Sequence, residues 1–281
     1  MSAEKKVWKL QFVTADLAAA ETALEAFGAT TWSSEQTYDS PNSPWLLGIY
    51  FEGEPDISTL VLPDDADPQL APLPDTDWVS ESQENLPPVH IPPFYLHGSH
   101  DTPMRGGRRN IEMQAGLAFG SGHHGTTQGC IYLLAELLKH KHPRSIADIG
   151  CGSGTLAIAA ARAGLGDILA SDSDPIAVEV TRNNMQVNKV APRITAFNAT
   201  GVAHSAYHGR QFDLIFANIM ARPLIKLAAD FEGHLALDGR LILSGLMNEQ
   251  TRKVMARYHA LGFKIERKRI IGQWTSLCLK R

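Results

Sequence analysis

The sequence predicts an α/β chain in which a small α/β unit precedes a doubly wound, largely parallel sheet. Three observations carry this expectation. From residue 145 onward, short apolar runs alternate with helix-patterned segments, the pattern of a parallel sheet with crossover helices. The first of these runs, SIADI, ends in GCGSG and leads into an alanine-rich stretch, so a tight glycine turn joins strand to helix. The chain is also long for a single domain at 281 residues, and its charge changes sign along the way.

In order, VWKLQFV (7–13) reads as a strand and 17–27 as a helix, with Asp16 as its N-cap. Residues 30–38 and 45–51 read as two more strands. Residues 63–93 are rich in Pro and Asp and are expected to hold little regular structure. FYLH (94–97) is a short strand and RGGRR (105–109) a loop. An amphipathic helix is expected over 128–138. Strands at 145–149, 168–171, 193–197, 213–217 and 241–244 then alternate with helices at 155–163, 175–188, 223–231 and 249–260. Pro175 stands at the favoured first position of its helix, behind Asp174 as cap. Two strands, 265–271 and 274–279, close the chain around Gly272. The division that results is 1–62 for the small unit, 63–104 for a linker and 105–281 for the sheet domain.

Composition narrows the function. No apolar run reaches the length of a membrane span, and the N-terminus lacks the apolar core of a secretion signal. Cys130, Cys151 and Cys278 are odd in number and lack metal-ligand spacing, so a reducing, cytoplasmic setting without disulfides or zinc is expected. Between residues 10 and 104 there is no Lys or Arg but there are sixteen carboxylates; from Arg105 onward 23 Lys and Arg outnumber 13 Asp and Glu. An acidic first third would repel nucleic-acid phosphates and attract a basic partner, the alternative being a merely solvated acidic surface. No direct nucleic-acid contact is therefore expected.

Gly150, Gly152 and Gly154 form G-x-G-x-G between a strand and a helix. The dinucleotide fingerprint would need its third glycine at Thr155, and no Lys-Ser/Thr follows as a phosphate loop would require. Asp172 ends the next strand twenty residues after Gly152, where a carboxylate can accept both hydroxyls of a ribose. Asp148, two residues before Gly150, either binds an amino group at the ligand's other end or holds the glycine loop. These spacings resemble class I S-adenosylmethionine-dependent methyltransferases. The resemblance implies a seven-stranded sheet with an antiparallel final strand, and S-adenosylmethionine as cofactor.

In that class the end of the fourth strand meets the methyl acceptor; here it reads FDLIFANIM. Asn218 supplies a polar carbonyl, but the prolines and stacking ring that suit a flat nucleobase are missing. A flexible amine such as lysine fits better, with Asn218 accepting its hydrogen bond. Upstream, GLAFGSGHHGTTQGC looks like a loop folding over the cofactor. Phe119 would pack on adenine or on the amine's alkyl part, and Thr127 would either cap the following helix or bond the ligand. His123-His124 lacks a third metal ligand at suitable spacing, so no metal is expected.

Taken together, GLAFGSGHHGTT, DIGCGSGTLAIAA, SDSDPIAVEVTRNN, FANIMARPL and GQWTSLCLKR resemble the ribosomal protein L-eleven methyltransferases, in that order. The resemblance covers residues 110–281. It implies methyl transfer to lysine side chains, and in some members the N-terminal amine, of the large-subunit ribosomal protein eleven. The small first domain would hold that basic protein. Thr127, Gly150, Asp172 and Asn218 would contact the cofactor or line its site. The competing expectations are a methyltransferase of another lysine-bearing protein and an RNA-methylating or RNA-binding protein, the latter motivated by the basic C-terminal part.

Overall fold

The computed structural model of the chain describes residues 7–27, 32–36, 43–72, 88–105, 109–113 and 124–281. The chain divides into two compact units, Met1–Trp78 and Val79–Arg281.

In the first unit, β1 (Val7–Thr14), α1 (Leu17–Phe27), β2 (Trp32–Gln36), β3 (Trp45–Glu52) and β4 (Gln69–Pro72) build an antiparallel sheet of order β2-β3-β1-β4. Alternation along β1 puts Leu10 and Phe12 on the buried face, opposite Ile49 and Leu47 of β3. Ala20 and Leu24 of α1 complete this core. The helix starts where expected, with the Asp16 carboxylate accepting from the Ala19 N–H at 3.0 Å. The stretch expected to hold little regular structure contains β4. Three of its four residues are exposed, so no apolar alternation marks it. It is held by pairing with β1 and by Asp65, which accepts from the Thr14 hydroxyl and the Ala15 N–H, each at 2.7 Å.

In the second unit, β5 (Val89–Ile91), β6 (Phe94–His97) and β7 (Arg109–Glu112) form a three-stranded sheet. Arg109 therefore begins a strand rather than ending a loop. Three polar residues around the single apolar Ile111 hide β7 from pattern reading, and a tertiary clasp holds it: the Asn188 amide donates to the Glu112 carbonyl at 2.7 Å and accepts from its N–H at 2.9 Å.

The main sheet follows, with α2 (Gly125–Leu137), β8 (Ile146–Ile149), α3 (Thr155–Arg162), β9 (Ile168–Asp172), α4 (Pro175–Val187), β10 (Ile194–Asn198), β11 (Phe212–Asn218), α5 (Ala221–Lys226), α6 (Ala228–His234), β12 (Leu235–Met247), α7 (Thr251–Ala260), β13 (Lys264–Ile271) and β14 (Trp274–Lys280). Its order is β10-β9-β8-β11-β12-β14-β13. The first five strands are parallel and β14 runs antiparallel between β12 and β13, as the class resemblance implies. One face packs on α2 and α3 through Ile131, Leu134 and Ile158; the other packs on α5–α7 through Leu224, Phe231, Val254 and Tyr258. The strand order reverses between β8 and β11, so their carboxyl ends frame the ligand crevice of a doubly wound sheet.

Two further expectations are corrected. The single helix over 223–231 is two helices, because Leu227 turns out of helical geometry (ψ 0°) with its side chain over Gly201. The strand at 241–244 is the centre of a thirteen-residue strand, whose early part shifts register against β11 between Phe212 and Leu214.

Candidate active site

The glycine turn after β8 is fastened to its neighbours by hydrogen bonds. Gly150, Gly152 and Gly154 all take left-handed backbone angles (φ 74°, 55° and 79°), which other residues adopt only with strain. The N–H groups of Gly150 and Cys151 donate to the Ser171 carbonyl at 2.8 and 3.0 Å. The Gly152 N–H donates to Asp172 Oδ2 at 2.9 Å, and the Asp174 N–H donates to Asp172 Oδ1 at 3.0 Å. From α4, the Thr181 hydroxyl donates to the Gly152 carbonyl and the Asn184 amide to the Ser153 carbonyl. The sequence reading missed Thr181 and Asn184; their four-residue-or-less spacing on one helix face was the available signal. Asp174 caps α4 as expected, accepting from the Ile176 N–H at 2.8 Å.

Asp148 is buried below this turn. Its Oδ2 accepts from the Ala157 N–H at 3.0 Å, so it pins the start of α3 and not the glycine loop itself. Its Oδ1 is buried and has no hydrogen-bond partner. Burial pushes its pKa up to about 7, the Ala157 N–H opposes this, and the charge of Asp172 adds to it.

Across the crevice, Asn218 ends β11 and its amide nitrogen donates to Thr127 Oγ1 at 3.4 Å, a long bond. The amide oxygen is buried with no partner. Thr127 is buried inside α2, so the expectation that it caps this helix is corrected: α2 starts earlier than the sequence predicts, and His124 is its N-cap. The His124 ring nitrogen lies 2.7 Å from the Thr126 hydroxyl, and the ring packs 4.7 Å from Trp274. Burial lowers the His124 pKa, which favours the neutral ring that can accept at a cap. Replacing His124 with Ala should cost about 1 kcal/mol in denaturant unfolding, and Asn, a strong N-cap residue, should recover most of it. Equal losses in both variants would remove the cap from the account of α2.

The structure thus gathers Asp148, Gly150, Gly152 and Asp172 on one side of the crevice and Thr127 with Asn218 on the other. Phe119 lies outside the described residues. Among those residues, no cluster of three or more His, Cys, Asp or Glu is placed to hold a metal, and no helix is long and apolar enough to cross a membrane.

A buried acceptor without a donor costs about 1–3 kcal/mol. Among the described residues two buried side-chain acceptors have no partner, on Asp148 and Asn218, and both belong to this crevice; one buried donor without a partner, Arg162 Nε, sits at the far end of α3. Two orphaned oxygens beside a glycine turn fit a ligand that brings N–H donors. A methyl donor carrying an amino group and an acceptor amine meet that description.

The seven-stranded topology and this crevice define a class I methyltransferase, an enzyme whose methyl donor is S-adenosylmethionine. The family model for ribosomal protein L11 methyltransferase matches residues 58–281, and the chain belongs to that family. The ribosomal protein L11 methyltransferase of Mesorhizobium japonicum is 44% identical over 210 residues, covering 74% of this chain and 72% of that protein. That of Brucella suis is 45% identical over 210 residues, covering 74% of each. The crystal structure of the ribosomal protein L11 methylase from Lactobacillus delbrueckii subsp. bulgaricus superposes with a TM-score of 0.61 at 30% identity, covering 69% of this chain and 98% of that one.

Proposed function

We propose that this enzyme transfers methyl groups to lysine side-chain amines, and to the N-terminal amine where it is presented, of ribosomal protein L11. The observation that carries the amine reading is the buried, unpartnered Asn218 oxygen at the end of β11. S-adenosylmethionine, when bound, supplies an electrophilic methyl carbon. Gly150 and Gly152 would bring backbone close to it, Asp172 would accept from its ribose hydroxyls, and Asp148 Oδ1 would face its amino group. Asn218 Oδ1 would accept an N–H of the incoming amine and fix the direction of its lone pair, with Thr127 steadying the Asn218 amide. A lysine amine has a pKa of about 10.4 in water and must shed a proton before attack; transfer out of water lowers that value.

The first unit is proposed to hold the substrate. Thirteen carboxylates with no Lys or Arg among them between residues 10 and 78 of this unit suit a basic protein. A concavity of about 390 Å³ in this unit includes Asp65, Asp67 and Gln69 in its wall. The place of action is proposed to be the cytoplasm, which suits three cysteines that are all unpaired and buried.

Intact mass spectrometry of purified ribosomal protein L11 incubated with the enzyme and S-adenosylmethionine tests this reading. Successive mass increments of one methylene each are expected. An unchanged mass, with cofactor binding shown separately, would move the substrate to another lysine-bearing protein or to RNA.

A further inference from the structure

Ile219, the residue after Asn218, stands between the two halves of the crevice. On one side is Gly150 of the glycine turn. A Cβ built there would overlap Ile219 Cγ2, while Ile219 Cβ would stay 3.8 Å away. On the other side is Gly245, near the C-terminal end of β12. A Cβ there would overlap the Ile219 carbonyl oxygen and come within 2.7 Å of its carbon and 3.1 Å of its nitrogen. Both glycines are left-handed, at φ 74° and 80°. Gly245 also falls where the pairing of β12 with β14 shifts register, between Leu243 and Leu246. β12 is thus bulged next to the site, directly after Ser244, which pairs with Asn218. A bulge and two left-handed glycines each have a conformational cost, and all three open space for one residue. Ile219 is partly buried and packs on the core face shared with α5 and α6.

We infer that Ile219 is a positioning residue for methyl transfer: clamped between Gly150 and Gly245, it sets the spacing between the glycine turn and the Asn218 amide. The β-branched methyl is the part in contact with Gly150, so branching matters more than apolar volume. Gly245 fixes the backbone of the same residue, and with it the direction of the Asn218 side chain. The inference rests on the methyltransferase reading for its kinetic arm, while its binding arm needs only cofactor.

The kinetic arm compares Ile219→Leu, which keeps volume but removes the branch at Cβ, with Ile219→Val, which keeps it. Ile219→Leu is expected to lower kcat for L11 methylation about tenfold while leaving the S-adenosylmethionine KM within roughly threefold. Ile219→Val should stay within about threefold of wild type in both. The binding arm is a double-mutant cycle read by calorimetry with S-adenosylhomocysteine. Gly150→Ala should weaken binding roughly a hundredfold, and the same change in an Ile219→Ala background should cost about tenfold less. Residual loss from the left-handed backbone angle remains in both backgrounds. Equal kcat for the Leu and Val variants, or an equal cost of Gly150→Ala in both backgrounds, would overturn the clamp. If Gly150→Ala does not fold, the Leu and Val pair decides. If wild type leaves L11 unmodified, the substrate reading fails and the cycle still tests Ile219.

Discussion

Asp172→Ala should weaken S-adenosylhomocysteine binding by about a hundredfold or more, equivalent to roughly 3 kcal/mol. The carboxylate does two things at once. It is the acceptor for the Gly152 and Asp174 N–H groups, and so ties the glycine turn to the start of α4. Each carboxylate oxygen keeps further lone-pair capacity toward the crevice, where ribose hydroxyls would donate. Truncation leaves two backbone N–H groups without their charged partner and removes the ribose acceptor together. Asn is not a neutral substitute, because its amide NH₂ would face one of the two N–H donors. Asp172→Asn should therefore fall between wild type and Ala. Calorimetry settles the affinities, with thermal unfolding to show that the variants are folded; binding of the Ala variant within threefold of wild type would remove Asp172 from the cofactor site.

Asp148→Asn should raise the stability of the cofactor-free enzyme above pH 7 and weaken cofactor binding at the same pH. An unfolded Asp titrates near 3.9, whereas burial raises the folded value to about 7. Below pH 4 the carboxyl is protonated in both states and the variant gains nothing. Between about pH 4 and 7 the folded protein holds a proton that the unfolded chain has released, so wild-type stability falls as pH rises. Above pH 7 the penalty is complete, at ~1.4 kcal/mol per pKa unit and hence several kcal/mol. Asn keeps an acceptor for the Ala157 N–H and carries no charge, so the variant escapes this loss. The same charge is what an ammonium in the crevice would meet. Stability and binding should thus move in opposite directions, as they do where a site holds a group at the expense of the fold. Unfolding curves at pH 5 and pH 8 with and without S-adenosylhomocysteine test both parts; an unfolding difference between variant and wild type that is the same at both pH values contradicts the buried-charge account.

Much of this site is local in origin, and local features are legible. The glycine turn lies within a dozen residues of Asp148, and its identity follows from strand, G-x-G-x-G and helix in succession. Asp172 is readable because it ends the next strand, and Asp174 because a cap followed by Pro175 is a helix start. Asn218 is readable because it closes an apolar run, FDLIFA, that reads as an inner strand between helix-patterned segments. The Thr127 capping expectation failed because two histidines precede the helix, and only packing against Trp274 shows which residue turns in to cap it. The strands β4 and β7 were illegible because neither has an apolar alternation of its own. Both are held by partners distant in sequence: β4 by β1 and β7 by β6 with Asn188.

The sequence by itself determined the alternation of strands and helices, the glycine turn, the two carboxylates and the asparagine, because each is a property of a short segment. Only the tertiary structure decided what those residues do to one another. Thr127 and Asn218 are 91 positions apart and meet across the crevice. Gly245 is one glycine in the run LILSGLM, a hint of a bulge but not of its neighbour. That it yields to the backbone of Ile219, and that Gly150 yields to the same residue, depends on the parallel pairing of β11 with β8 and β12. Contacts across a sheet are set by register and packing, and no segment of the chain encodes them alone.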